Sequence, residues 1–392
     1  MESCEVLIVG GGPAGSTCAW KLRKAGLDVL LLDKEWFPRE KPCAGWITPV
    51  VLETLAIDRK EYRQGRVLQD INSFRTGLMS GTEVVTHYGT TVSYGIRRCE
   101  FDHYLLQRSA ARHIVGEPVS ALERHDGSWL VNGRLRARLL VGAGGHFCPV
   151  ARHLGAIPGK EEAIVAQVAE VALSPDQERH CRITAETPAL YFCRDMKGYG
   201  WLFRKERFIN VGLGRRDADN LGRHTKDFCA FLAQRGDLPA NFSGRFQGHA
   251  YRLYERQEGR TCVSDGALLL GDAAGLARQQ SGEGIQPAVE SALLAADTIL
   301  EANGNYCRDN LEPYARRLAG RFGGEDLKIP SLSIFSGILR FVGARMLSSP
   351  WFARHIVLDR WFLHSAQTCS GGGGGPPDRG AGNGGTAARK CR

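Results

Sequence analysis

Three glycines near the N-terminus carry the first chemistry. Gly10, Gly12 and Gly15 fall in G-x-G-x-x-G spacing, with Pro13 and Ala14 inside the same turn. Such a triplet allows a tight turn, brings backbone close to a pyrophosphate and packs a helix closely on a strand. The free N–H groups at the helix start then face the anion. Asp33, followed by Lys34, closes the next apolar run, where a ribose hydroxyl is expected. A plain strand–helix–strand unit with a glycine turn is the competing reading. A second motif, "GALLLGDAAG" at 266–275, sets Gly271 and Asp272 at the end of a strand and beside a helix start. A carboxylate there either caps the helix or accepts hydrogen bonds from the ribityl hydroxyls of a flavin. The two motifs together point to a flavin dinucleotide.

The elements that must position these residues follow from apolar periodicity. Val6–Val9 and Val29–Asp33 are short continuous apolar runs of the kind buried parallel strands show, with a helical pattern from Ser16 to Ala25 between them. A polar loop, "KEWFPREKPCAGW", and a short helix over 48–56 come next. Residues 66–95 alternate as strands of a separate sheet. Phe101, Tyr104, Leu105 and Arg108 have helical spacing, and strand candidates around Val119, Trp129 and Leu139 form a meander. Residues 160–258 read as long alternating strands with one helix from about His224 to Gln234. The chain then returns to an apolar strand and to a helix over about 284–302.

That late return means two interleaved units. The fold class expected is α/β: a Rossmann-like dinucleotide domain (1–65, 96–158 and 259–325) interleaved with a mixed β-sheet substrate domain (66–95 and 159–258). C-terminal helices are expected over 326–369, either packing on the core or covering a greasy substrate or membrane surface. The glycine-rich stretch 370–392 has no core formers and reads as a disordered tail.

Composition narrows the class. The chain has 392 residues, 43% hydrophobic and 24% charged, with a formal charge of +9. That suits a soluble globular protein with a sizeable core. No apolar run reaches membrane-span length and no signal-peptide layout is present, so the expectation is cytoplasmic, with peripheral membrane contact as a variant. The positive charge favours anionic cofactors or a lipid surface. Arginines are scattered and no recognition motif appears, which argues against nucleic acid. The twelve cysteines stand without a C-x-x-C pair, so no metal is expected.

On these motifs the sequence resembles the FAD-dependent oxidoreductases that include aromatic hydroxylases, flavin-dependent halogenases and geranylgeranyl reductases. The resemblance covers about residues 4–320. It is strongest to the geranylgeranyl reductase branch, through "EKPCAGWIT" at 40–48, "RRCEFDHYL" at 97–105, "GYGWLFRK" at 198–205 and "GDAAGLARQQSGEGIQPAVESALLAA" at 271–296. The resemblance implies FAD as cofactor, with Asp33 at the adenosine ribose, Arg98 near the FAD and Asp272 at the ribityl chain. Gly282, Gly284 and Ile285 would pass beside the isoalloxazine, and Ala44 and Gly45 would lie in the loop near the ring.

Two departures stand out. Where the family carries an Asp-Gly and then a Ser, this chain has Gly144 and Pro149 in "GAGGHFCPVAR". That weakens direct use of NAD(P)H as reductant and leaves room for another reduced carrier or an electron-donor protein. Arg204 stands where the family has a proline.

The chemistry implied is reduction of a carbon–carbon double bond in a prenyl or other lipid-like substrate, with hydride from reduced flavin. Cys43 is the candidate acid, in a loop that the resemblance places near the ring; a buried inert cysteine is the alternative. Tyr199, Trp201 and Phe203 alternate along one strand, so they share a face. They either line the substrate cavity or are ordinary sheet packing. Competing readings are an FAD-dependent monooxygenase or halogenase, a quinone-linked electron-transfer flavoprotein, and a flavin binder without turnover. The W-x-W-x-I-P motif of halogenases and the cysteine cluster of the quinone-linked group are both absent.

Overall fold

The computed structural model describes residues 1–79, 81–156, 164–217, 219–239, 241–254, 261–323 and 345–364. The stretch read as a tail, 370–392, and most of the expected C-terminal helices lie outside the described residues.

The apolar run at the N-terminus forms the strand Glu2–Val9, buried from Val6 onward. It lies in a parallel sheet between Leu135–Gly142 and Val29–Asp33, with Ala267–Leu269 and Arg112–Val115 as the next strands outward. Both faces of such strands are covered, which is why they read as unbroken apolar runs. The helices Pro13–Lys24 and Ile285–Glu301 pack against each other on this sheet. The meander Leu122–His125, Ser128–Val131 and Leu135–Gly142 is antiparallel and hangs on the same sheet.

A second sheet has seven strands: Gln247–Tyr251, Ile164–Ala172, Phe208–Arg215, Gly198–Lys205, Ala189–Phe192, Ser73–Leu78 and Glu83–His87. Its pairings are antiparallel except that between Ala189–Phe192 and Ser73–Leu78. One face buries Leu202, Ile209 and Val211 under the helix Leu221–Gln234; the other turns Leu190, Trp201 and Phe203 away from that helix. Strands Trp46–Ile47, Ser93–Ile96 and Leu68–Ile71 form a small third sheet. Strands from 68–96 are thus shared between two sheets rather than one.

The C-terminal segment 345–364 ends in a wide-turned helix, Ala353–Phe362. It packs Val357, Leu358 and Phe362 onto the aromatic face of the seven-stranded sheet. Tyr88 ties it down by donating from its hydroxyl to Asp359 Oδ1 at 2.6 Å. Among the described residues, no helix is long and apolar enough to cross a membrane.

Candidate functional site

One cavity of about 580 Å³ runs from the C-terminal ends of the parallel strands to the aromatic face of the seven-stranded sheet. At the parallel end, Gly10 has φ +114°, and a Cβ there would stand 2.4 Å from the Ala143 carbonyl oxygen. Gly15 is needed for approach: its Cβ would stand 1.8 Å from the carbonyl oxygen of Gly10. The turn thereby delivers Gly12, Pro13 and Ala14, the start of the first helix, to the cavity wall. Gly284, the residue before the helix Ile285–Glu301, also lines it. Neither helix carries an acidic residue in its first turn; the positive end of the first is left to an anion, while at the second the Asp272 carboxyl stands beside Gly284.

Charged side chains agree with that. Asp33 accepts from the backbone N–H of Gly11 at 2.6 Å and of Glu35 at 2.9 Å, and its carboxylate borders the cavity beside Lys34. Burial pushes the pKa of Asp272 up, against the nearby charges of Lys41, Arg98 and His146. Burial also pushes Lys41 down, with Arg98 adding to the shift. His249 is pushed down to about 3 by burial, then by Lys41 and Arg98. Arg39 borders the cavity with its Nε buried and without a hydrogen-bond partner. A pocket of clustered cations, helix starts and an unsatisfied guanidinium N–H fits the pyrophosphate of a dinucleotide.

Between the two ends lies the loop of Cys43. Its Sγ accepts from the Gly45 N–H at 3.3 Å. Arg98 stands beside it, held by a two-pronged bond to the buried Asp102 at 2.8 Å from both Nε and Nη2. Burial opposes the charge of Arg98, yet Asp102 and then Cys43 outweigh it and raise its pKa. The opposite wall is aromatic. Trp46 stacks on Phe362 at 5.4 Å and lies 5.5 Å from Phe203, while Tyr199 meets Phe362 edge-on at 5.3 Å. The Tyr199 hydroxyl donates to the Ser281 carbonyl at 2.5 Å. Burial holds the phenols of Tyr199 and Tyr251 well above their ordinary range.

The structure brings Gly10, Gly12, Pro13, Ala14, Asp33, Lys34, Cys43, Ala44, Arg98, Asp272, Gly282, Gly284, Ile285, Tyr199, Trp201 and Phe203 to this one cavity. Gly15, Gly45 and Gly271 stand behind its wall, where each leaves room for a neighbour. Sequence reasoning missed Trp46, His249, Tyr251 and Phe362. Trp46 had a signal, inside the stretch "EKPCAGWIT", and so did Phe362, in the apolar C-terminal stretch that reads first as core packing; His249 and Tyr251 had none.

Comparison with known proteins gives the family and the fold. The family described as FAD binding domain matches residues 3–317. A menaquinone reductase of Mycobacterium tuberculosis is 29% identical over 350 residues, 82% of this chain and 81% of that one. A geranylgeranyl diphosphate reductase of Synechocystis is 27% identical over 363 residues, 83% and 84% of the two chains. The crystal structure of a geranylgeranyl bacteriochlorophyll reductase-like protein of Thermoplasma acidophilum superposes with a TM-score of 0.75 at 21% identity, covering 89% of this chain and 92% of that one.

Proposed function

Because the chain belongs to the FAD binding domain family and is an FAD-dependent oxidoreductase, we propose that it reduces carbon–carbon double bonds of a prenyl or other lipid-like substrate. The observation that carries this reading is the meeting, in one cavity, of a polar thiol centre and a water-excluding aromatic wall. Relatives named for reduction of geranylgeranyl diphosphate and menaquinone support it.

Reduced FAD, when bound, supplies the hydride. The residues do the rest. Gly12, Pro13 and Ala14, at the start of the first helix, hold the pyrophosphate, Asp33 the adenosine ribose and Asp272 the ribityl chain. Tyr199, Trp201, Phe203, Trp46 and Phe362 hold the apolar chain of the substrate and exclude water. Each methylene taken out of water contributes about 0.8 kcal/mol, so a long apolar chain binds with few polar contacts. The Sγ–H of Cys43 gives its proton to the alkene carbon that does not receive hydride. The resulting thiolate is stabilised by Arg98 and by the Gly45 N–H. A reduced nicotinamide or a protein carrier would supply the electrons.

The test is anaerobic. Dithionite-reduced holoprotein mixed with geranylgeranyl diphosphate reoxidises and yields a product two mass units heavier for each double bond reduced. Flavin that stays reduced with the alkene but gives an oxygenated or halogenated product in air, with an aromatic substrate, would establish the monooxygenase or halogenase reading instead.

A further inference from the structure

Behind the aromatic wall lies a buried polar cluster with no part in the chemistry above. Glu170, on the strand Ile164–Ala172, is its hub. Its Oε2 accepts from Lys205 Nζ at 2.8 Å and from Asn210 Nδ2 at 2.9 Å, and its Oε1 accepts from Arg97 Nε at 3.2 Å. Lys205 is 0% and Asn210 1% exposed. Replacing such a buried cluster by apolar side chains of similar volume is often neutral or stabilising, so plain stability is a weak account of it.

Asn210 shows what that is. Its Nδ2 also donates to the Cys43 carbonyl oxygen at 2.9 Å, and its Oδ1 accepts from Trp201 Nε1 at 2.9 Å. One planar amide thus joins three segments: the strand of Glu170, the loop of Cys43 and the strand of Trp201. Its bond directions are fixed, and three of its four hydrogen-bonding positions are filled. Lys205 secures the far side of the same loop. It donates to the Ile96 carbonyl at 2.8 Å, and the Ile96 N–H donates to the Gly45 carbonyl at 2.7 Å. The backbone that follows the Cys43 thiol, at the carbonyls of Cys43 and Gly45, is therefore anchored to one buried carboxylate.

We propose that Asn210 is a positioning residue, which sets the Cys43 loop against the aromatic wall by bridging the Cys43 carbonyl and the Trp201 indole. The catalytic consequence rests on the role given to Cys43 above; the positioning does not.

The test reads the thiol directly. FAD-loaded wild type, Asn210→Asp and Asn210→Ala are treated with iodoacetamide, and alkylation at Cys43 is followed by peptide mass spectrometry. Asn210→Asp keeps the side-chain size but loses both donations and faces Glu170 with a second carboxylate. Asn210→Ala removes the bridge without adding charge. In both, Cys43 alkylation rises about fivefold or more, and kcat for alkene reduction falls about tenfold with KM little changed, since misplacement of even about 1 Å can cost more than that. Trp201→Phe keeps an aromatic ring but removes the indole N–H together with the fused ring, and raises alkylation by a smaller amount. An alkylation rate in FAD-loaded Asn210→Ala within about twofold of wild type overturns the proposal, being far below the effect of a freed reactive group. Should both Asn210 variants lose FAD, an unchanged rate in Trp201→Phe overturns it. Faster alkylation with untouched turnover upholds the positioning and contradicts the role of Cys43 instead.

Discussion

On the parallel-sheet side the cavity wall combines backbone, at Gly10, Gly12 and Gly284 with two helix starts behind them, with charged side chains such as Asp33, Arg39, Lys41 and Arg98. On the antiparallel side it is aromatic side chain, Trp46, Tyr199, Trp201, Phe203 and Phe362, with Trp201 joined through Asn210 to a buried network around Glu170. A wall of backbone and charge recognises what every dinucleotide shares, its pyrophosphate and sugars. A side-chain wall recognises shape, and it can be altered residue by residue without disturbing the first. Under the proposed function, cofactor binding and substrate choice would lie on separate sheets, which meet at the Cys43 loop.

If the two sides are separable, substitutions should divide cleanly between them. The largest effect is expected from Gly15→Ala on the backbone side. Its Cβ would press on the Gly10 carbonyl, with no flexible side chain to yield. A loss of more than about 4 kcal/mol, the range reserved for severe core defects, is predicted, together with loss of FAD. Thermal melting and absorbance near 450 nm measure both; retained FAD would break the contrast.

Next is Glu170→Gln on the side-chain side, which leaves Lys205 buried without its charge partner. Removing one member of a buried pair costs about 3 kcal/mol. Burial works to raise the pKa of Glu170, but Lys205, Asn210 and Arg97 outweigh it and hold it low. A depressed carboxylate contributes stability above its unfolded pKa and loses it as pH falls through the folded one. The gap between wild type and Glu170→Gln should therefore be full at pH 7 and narrow below about pH 4. Denaturant melts at the two pH values test this, with FAD affinity little changed in the variant. A gap that does not narrow in acid would show that Glu170 acts through packing.

Asp272→Ala is the smallest of the three. Losing one carboxylate acceptor at the cofactor weakens FAD binding by about 1.5 kcal/mol, roughly tenfold in Kd, with an unchanged fold. Fluorescence titration of the apoprotein with FAD reads it. Unchanged affinity would assign Asp272 to capping of the turn Gly271–Ala274.

This division also decided what the sequence could disclose. Close-approach glycines and a strand ending in an acid leave local marks, so the α/β fold and FAD were legible from 6–15, 29–33 and 266–275. The shared face of Tyr199, Trp201 and Phe203 was legible from alternation alone. Asn210 was not: it sits in the apolar run "FINVGLG", and its partners Glu170 and Cys43 lie 40 and 167 positions away. Nothing local distinguishes such an asparagine from a turn former. Trp46 and Phe362 stack from opposite ends of the chain, a contact that only the tertiary fold creates.

The central claim is that the two sides act on each other through the thiol of Cys43. Stopped-flow reoxidation of dithionite-reduced Cys43→Ala by geranylgeranyl diphosphate, without oxygen, tests it most directly. FAD content should match wild type, and alkene-dependent reoxidation should be about 100-fold slower, the usual cost of losing a positioned acid. Reoxidation at the wild-type rate, with FAD and substrate bound, would contradict it.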